Sequence, residues 1–332
     1  MTRRIIFVTG GAGFIGSNIV ARMAQDLALD LVVCDRLRDE TSGKWRNISK
    51  HPIGDFVDPE DMFDWLEKRW RDIDLVVHMG AISSTTEKDV DLIVEVNFRL
   101  SQTLWRWCTL NDKRFIYASS AATYGDGEQG FDDDPQKLPL LRPLNPYGWS
   151  KHLFDRWVMQ MQGSGGRTPP QWVGLKFFNV YGPNEYHKGS MRSVVAQKYP
   201  LAASERPVTL FRSHRPDIPD GGQRRDFIYV RDCVQVVQWL LGHPQVSGLF
   251  NLGTGRARSF AELAQALFAA LQRPARLEYV DTPPNVLAHY QYFTEARMER
   301  LRQAGYTQPF TSLEEGVADY VQRYLSRPDP YL

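Results

Sequence analysis

Tyr147 and Lys151 stand four residues apart in Asn145-Pro146-Tyr147-Gly148-Trp149-Ser150-Lys151. That spacing puts both side chains on one face of a helix. A phenol ionises at about pH 10, too high for a useful base at neutral pH. An ammonium nearby favours the phenolate and is expected to lower that value. Ser119 and Ser120 close the strand-like run Phe115–Ser119. A hydroxyl there, Ser120 foremost, can hydrogen-bond a substrate oxygen that passes between alcohol and carbonyl. Tyr-x-x-x-Lys alone is common and reads equally as an exposed helix face. Its meaning depends on what precedes it.

What precedes it is a phosphate cradle. Thr9-Gly10-Gly11-Ala12-Gly13-Phe14-Ile15-Gly16 follows a β-branched run and opens a helical stretch. Gly10, Gly13 and Gly16 permit a tight turn and close backbone approach, and the helix start offers open N–H groups to a pyrophosphate. Asp35 lies 19 residues after Gly16, placed to accept from adenosine ribose hydroxyls. Asp35 alone favours NAD. The cations that follow, Arg36, Arg38 and Lys44, could pair with the 2′-phosphate of NADP, or simply line a solvated loop. His78-Met79-Gly80-Ala81-Ile82-Ser83 ends a third apolar run with small residues that let backbone approach the cofactor, while His78 itself reads as a satisfied buried histidine. With a dinucleotide in place, Lys151 can also hold the nicotinamide ribose.

The elements that must position these groups alternate. Strand-like runs Ile5–Thr9, Leu31–Cys34, Asp74–His78, Phe115–Ser119 and Trp172–Phe177 are separated by helical stretches Phe14–Gln25, Pro59–Trp70, Val90–Cys108 and Tyr147–Gln162. The runs are apolar throughout, as strands covered on both faces are. This predicts an α/β fold, a Rossmann-type doubly wound parallel sheet, with a smaller discontinuous α/β substrate domain. Residues 1–177 with about 227–257 are expected to form the cofactor domain, and about 178–226 with 258–332 the substrate domain. Phe227–Val230 and Leu249–Leu252 read as strands that rejoin the main sheet, and Arg258–Leu271 and Thr311–Tyr324 as helices. On composition, Gly125–Leu141 is the least ordered stretch.

Composition narrows the class. The chain has 332 residues, 42% hydrophobic and 24% charged, with a net charge of +1. That balance gives no bulk electrostatic case for nucleic acid or an anionic membrane. No apolar run reaches the roughly 18 residues of a membrane span. The apolar start Ile5–Val8 is too short for a signal-peptide core. Three scattered cysteines, Cys34, Cys108 and Cys233, suggest neither a disulfide framework nor a metal site. A cytoplasmic enzyme is the expectation.

The combination resembles the extended short-chain dehydrogenase/reductase superfamily. Further stretches narrow it: Ser83-Ser84-Thr85-Thr86-Glu87, Tyr117 to Gly125, Phe178-Asn179-Val180-Tyr181-Gly182-Pro183, His187-Lys188-Gly189-Ser190-Met191, Phe227 to Asp232 and Phe250 to Gly255. Together they resemble the ADP-heptose 6-epimerase family of lipopolysaccharide core synthesis. The resemblance implies an NADP-dependent enzyme that oxidises C6″ of the heptose to a ketone and reduces it on the other face. It implies two acid/base residues, Tyr147 and Lys188, one for each orientation of the heptose. A single base at a fixed nicotinamide face remakes only the starting configuration unless the substrate turns. It adds Phe14, Ile15, Met79, Gly80, Ala81, Ile82, Ser83, Asn97 and Val180 as cofactor contacts. Asn179, Ser190, Gln197, Phe211, Arg212, Ser213, His214, Arg225 and Tyr290 are implied as ADP-heptose contacts. It also implies a homo-oligomer, a pentamer. The chain departs from the family at Pro59, where a cofactor-contacting lysine can stand, and at Gln197, where histidine is familiar. A sugar 4,6-dehydratase would need an acidic pair where this chain has Ala121-Ala122. A UDP-hexose 4-epimerase would use one tyrosine and have no need of Lys188. A non-catalytic NADP sensor on the same fold would have no use for a tuned phenolate.

Overall fold

The structure, a computed structural model, describes residues 4–85, 87–283 and 291–332. Seven parallel strands form the main sheet: β1 (Arg4–Thr9), β2 (Leu29–Cys34), β3 (Asp55–Val57), β4 (Ile73–His78), β5 (Arg114–Ser120), β6 (Trp172–Phe177) and β10 (Gly248–Leu252). Their order is β10-β6-β5-β4-β1-β2-β3, so the winding reverses between β1 and β4. At such a reversal the crossover helices diverge to opposite faces and leave a crevice beyond the strands' carboxyl ends. Helices α1 (Phe14–Met23), α2 (Met62–Arg69), α3 (Val90–Ile93), α4 (Leu100–Leu110) and α5 (Pro146–Gly163) cover the sheet. A wider π turn, Val94–Arg99, joins α3 to α4. The β1 residues Ile6, Phe7 and Val8 are wholly buried, as a central parallel strand requires.

Beyond β6 come α6 (Val194–Ala203), α7 (Val230–Gly242) and α8 (Phe260–Ala270). Two small sheets accompany them. β7 (Asn179–Tyr181), β9 (Arg224–Tyr229) and β11 (Ala257–Ser259) form one, and β8 (Val208–Phe211) pairs with β12 (Leu277–Val280). Of the two segments expected to rejoin the main sheet, Leu249–Leu252 does so within β10. Phe227–Val230 does not: β9 lies between β7 and β11. A short apolar run carries no record of which sheet it joins. α7, which follows β9, packs on α1 and so belongs to the layer over the main sheet.

Two apolar cores result. The larger holds the main sheet and also takes in Ala296, Met298, Leu301 and Tyr306. The smaller gathers Val195, Val208, Tyr229, Leu263, Leu267, Val317 and Tyr320, with Phe14 of α1 reaching into it. Gly125–Leu141 is far from unstructured. Phe131, Leu138 and Leu141 are buried in the larger core, and Asp133 Oδ2 accepts from Asn251 N at 2.7 Å. Among the described residues, no helix is long and apolar enough to cross a membrane.

Candidate active site

A cleft of about 940 Å³ opens at the carboxyl ends of β1, β4, β5 and β6. Its floor is the glycine loop. Gly10 has φ +66°, and a Cβ there would stand 2.5 Å from Gly80 N. A Cβ on Gly16 would stand 2.1 Å from Gly10 O, so only glycine lets α1 start this close to the turn. Gly13 precedes α1 with extended backbone and no side-chain cap. The first-turn N–H groups therefore face the cleft with the positive end of the helix dipole.

Asp35, 8% exposed, ends β2 beside this loop. Its Oδ2 accepts from Ala12 N at 2.9 Å, and its Oδ1 from Arg36 N at 2.7 Å and Lys44 Nζ at 2.5 Å. The carboxylate is thus partly neutralised where the adenosine ribose would lie. Gly10, Gly13, Phe14, Ile15, Gly16, Asp35 and Lys44 all line the cleft. Arg36 does not; its guanidinium is exposed and pairs with Glu60 at 2.7 Å. Arg38 lines the cleft in its place, with Ser42 beside it. An uncapped helix start, a glycine turn no side chain could enter and two cations at the ribose end suit a dinucleotide.

Met79, Gly80, Ala81, Ile82 and Ser83 form the next wall. Asn97, in the π turn, stands behind it and not in it. Its Oδ1 accepts from Ile82 N at 2.8 Å, and its Nδ2 donates to Ile82 O at 3.0 Å and Ser150 Oγ at 3.0 Å. Asn97 therefore holds the wall to α5. His78 is structural, as its sequence context indicates. It lies between Thr9 Oγ1 at 2.6 Å and Ser101 Oγ at 2.9 Å, and burial pushes its pKa down to about 3.

α5 carries Tyr147 and Lys151. Asn145 caps it, accepting from Gly148 N at 2.8 Å, and Pro146 occupies the first turn, a strong start signal. Tyr147, Lys151 and Ser120 meet in the cleft. Burial pushes the Tyr147 phenol up, a hydrogen bond with Ser120 pulls it down, and the Asp155 carboxylate raises it further. The expected lowering by Lys151 is not found. Burial dominates both groups and brings Lys151 itself down to about 8. Ser119 also lines the cleft, but its Oγ donates to Asp155 Oδ2 at 2.7 Å, while Ser120 lies beside Tyr147. Asp155 also accepts from Tyr117 OH at 3.1 Å and from Lys176 Nζ at 2.8 Å. This wholly buried pair joins β5, β6 and α5 directly behind Tyr147.

The opposite wall is the turn Tyr186–Met191. His187, Lys188 and Ser190 line the cleft, as do Asn179 and Val180 of β7. Lys188 Nζ stands 5.5 Å over the Phe14 ring, and burial lowers its pKa against the raising influence of Glu185. Gln197 does not reach the cleft. Its Nε2 donates to Ser190 O at 3.0 Å and Arg192 O at 2.6 Å, bracing the turn from outside.

The remaining implied substrate contacts are not brought together here. Phe211, Arg212, Ser213, His214 and Arg225 lie outside the cleft lining. Arg212 pairs with Asp281 at 3.1 Å, Ser213 N donates to Asp220 Oδ1 at 2.8 Å, and His214 N to Tyr292 OH at 2.9 Å. Arg225 donates to the carbonyls of Arg224 and Gln291. Tyr290 falls outside the described residues. Conversely, Ser42, Glu87, Leu92, His187 and Arg192 line the cleft without having been assigned a role. His187 could have been singled out from its place beside Lys188; Ser42 and Arg192 carry no signal in type or spacing.

A family model described as NAD dependent epimerase/dehydratase family matches residues 6–253. The chain belongs to that family. Among its relatives, this epimerase/dehydratase chain is 49% identical over 328 residues to an ADP-L-glycero-D-manno-heptose-6-epimerase of Nitratidesulfovibrio vulgaris, covering 98% of this chain and 99% of the relative. It is 44% identical to the protein of that name from Fusobacterium nucleatum, covering 99% of this chain and all of the relative. Among solved structures, the Helicobacter pylori ADP-L-glycero-D-manno-heptose-6-epimerase superimposes with a TM-score of 0.80 at 28% identity, covering 97% of this chain and 96% of that one.

Proposed function

We propose that this chain interconverts ADP-D-glycero-D-manno-heptose and ADP-L-glycero-D-manno-heptose at C6″, with NADP as its resident cofactor. The observation that carries this reading is a second candidate base, Lys188, lining the same cleft as Tyr147 and Ser120. The larger core carries the cofactor and the smaller one the sugar nucleotide. The glycine loop and start of α1 would hold the pyrophosphate, Asp35 the adenosine ribose, Lys44 and Arg38 its 2′-phosphate, and Lys151 the nicotinamide ribose. Held there, the nicotinamide ring would supply the hydride acceptor and donor for C6″. Ser120 hydrogen-bonds the C6″ oxygen while it faces Tyr147. Tyr147 accepts the hydroxyl proton from the heptose in one orientation. After the side arm turns within the cleft, Lys188 donates a proton to the oxygen in the other. In the reverse direction the two exchange tasks.

Tyr147→Phe and Lys188→Met should each slow epimerisation of ADP-heptose by at least about 10²-fold, with sugar-nucleotide binding little changed. A Lys188→Met enzyme that keeps near-native turnover but loses nucleotide affinity would make Lys188 a phosphate ligand. The reaction would then run on one base.

A further inference from the structure

Two loops from distant parts of the chain flank the cleft and meet at one buried amide. Asn47 follows Lys44 in the loop after β2 and is fully buried. Its Nδ2 donates to Ala12 O of the glycine loop at 2.9 Å and stands 3.1 Å from Nδ1 of His187. A carbonyl accepts only from the NH₂ side of the amide, so the Ala12 contact fixes the orientation of Asn47. Its second N–H then points at His187, whose Nδ1 must accept. Among the described residues, Asn47 Oδ1 is buried with no partner. The two donors of Asn47 thus engage one group on each side of the cleft.

The junction is reinforced on both flanks. Asn184 Nδ2 donates to Asn47 O at 3.1 Å and Ser17 Oγ at 3.1 Å, and Asn18 Nδ2 to Pro183 O at 3.0 Å. Outside, the segment 328–332 ties the same two loops. Asp329 pairs with Lys50 at 2.9 Å, Arg46 stacks on Tyr331 at 4.4 Å, and Tyr331 meets the Tyr186 ring at 5.1 Å. On the other side of Lys188, Gly189 adopts φ 55° with open space around its Cβ position. Lys188 therefore sits between a permissive glycine and a tethered histidine.

We propose that the Asn47–His187 hydrogen bond couples the adenosine end of the cofactor cleft to Lys188, so that a phosphate seated by Lys44 and Arg38 draws this base into its working position. His187 and Asn47 are positioning residues in this scheme. The coupling rests on the NADP and two-base reading above.

The test needs no turnover. Adenosine 2′,5′-bisphosphate carries the adenosine end of NADP but neither nicotinamide nor sugar. At saturation it should change the rate at which acetic anhydride labels Lys188, read by peptide mass spectrometry, by about fivefold or more. Asn47→Ala and His187→Leu should abolish the change. His187→Asn should restore it, because an amide oxygen can take the place of Nδ1. Should Asn47→Ala fail to fold, the partly exposed His187 still decides. The same change in His187→Leu as in the native chain would mean direct shielding and overturn the proposal, as would no change in the native chain. In epimerase assays, His187→Leu should lower kcat by up to about 100-fold, and His187→Asn should recover it. Near-native epimerisation by Lys188→Met would sink the two-base reading separately, without altering the labelling result.

Discussion

Lys151 shows how a residue's chemistry is set against its stability. Burial brings its pKa down to about 8, from an ordinary 10.5. Between those values the unfolded chain holds a proton that the folded chain has released, so stability rises with pH across that window. Below it, the folded protein carries the whole cost of a desolvated ammonium, about 3 kcal/mol by linkage. Lys151→Met should therefore raise the melting temperature at pH 7 and much less at pH 10.5, while removing the proposed nicotinamide-ribose contact. A melting temperature that falls equally at both pH values would show that the ammonium is net stabilising. At the other end of the cleft, Lys44→Ala should weaken NADP far more than NAD in calorimetric titration, since only NADP has a phosphate to lose. Arg36→Ala should leave the ratio unchanged, its guanidinium being engaged with Glu60. Equal losses for both cofactors in Lys44→Ala would confine Lys44 to holding Asp35.

Elements were legible wherever their pattern was long. The glycine loop, the acid ending β2 and the start of α5 could be placed because each couples a residue type to a fixed offset from a strand or helix boundary. The route of β9 could not be read, nor the ordering of Gly125–Leu141. Both depend on contacts between residues far apart in sequence, such as Asn251 N to Asp133 at 2.7 Å. Arg36 and Arg38 could not be told apart in the sequence, because proximity to Asp35 says nothing about side-chain direction. The Phe211–His214 contacts came from resemblance alone; the loop hydrogen-bonds to itself and its neighbours. The Asp155–Lys176 pair likewise has no sequence signal, yet it joins three elements behind Tyr147. Asp155→Asn should destabilise the protein in urea by roughly 3–5 kcal/mol, because the Lys176 ammonium is left buried without its counter-charge. The double replacement Asp155→Leu with Lys176→Met should lose less, and an additive loss would mean that the two charges do not act as a pair.

At the scale of the whole molecule, two cores share one cleft, and the cleft lies where the winding of the main sheet reverses. The reversal and a second, smaller domain were predictable from strand–helix alternation and the change of pattern after β6; the strand pairing within that domain was not, because its strands are short and return from separate excursions. Its joints are polar: Asn18, Asn47 and Asn184 connect the glycine loop to the turn carrying Lys188. The three cysteines turn this architecture into its own stopwatch. All are buried, Cys34 in β2, Cys108 in α4 and Cys233 in α7, and burial pushes every thiol up, Cys34 to about 12. Thiolate is the reactive form, so a thiol reagent is blind to the closed molecule and counts only its openings. Each cysteine times a different region, and NADP should lengthen the interval at Cys34, next to Asp35, more than at Cys233. Equal slowing at both sites would mean that the cofactor grips the molecule as one body, with no separate opening beside the glycine loop.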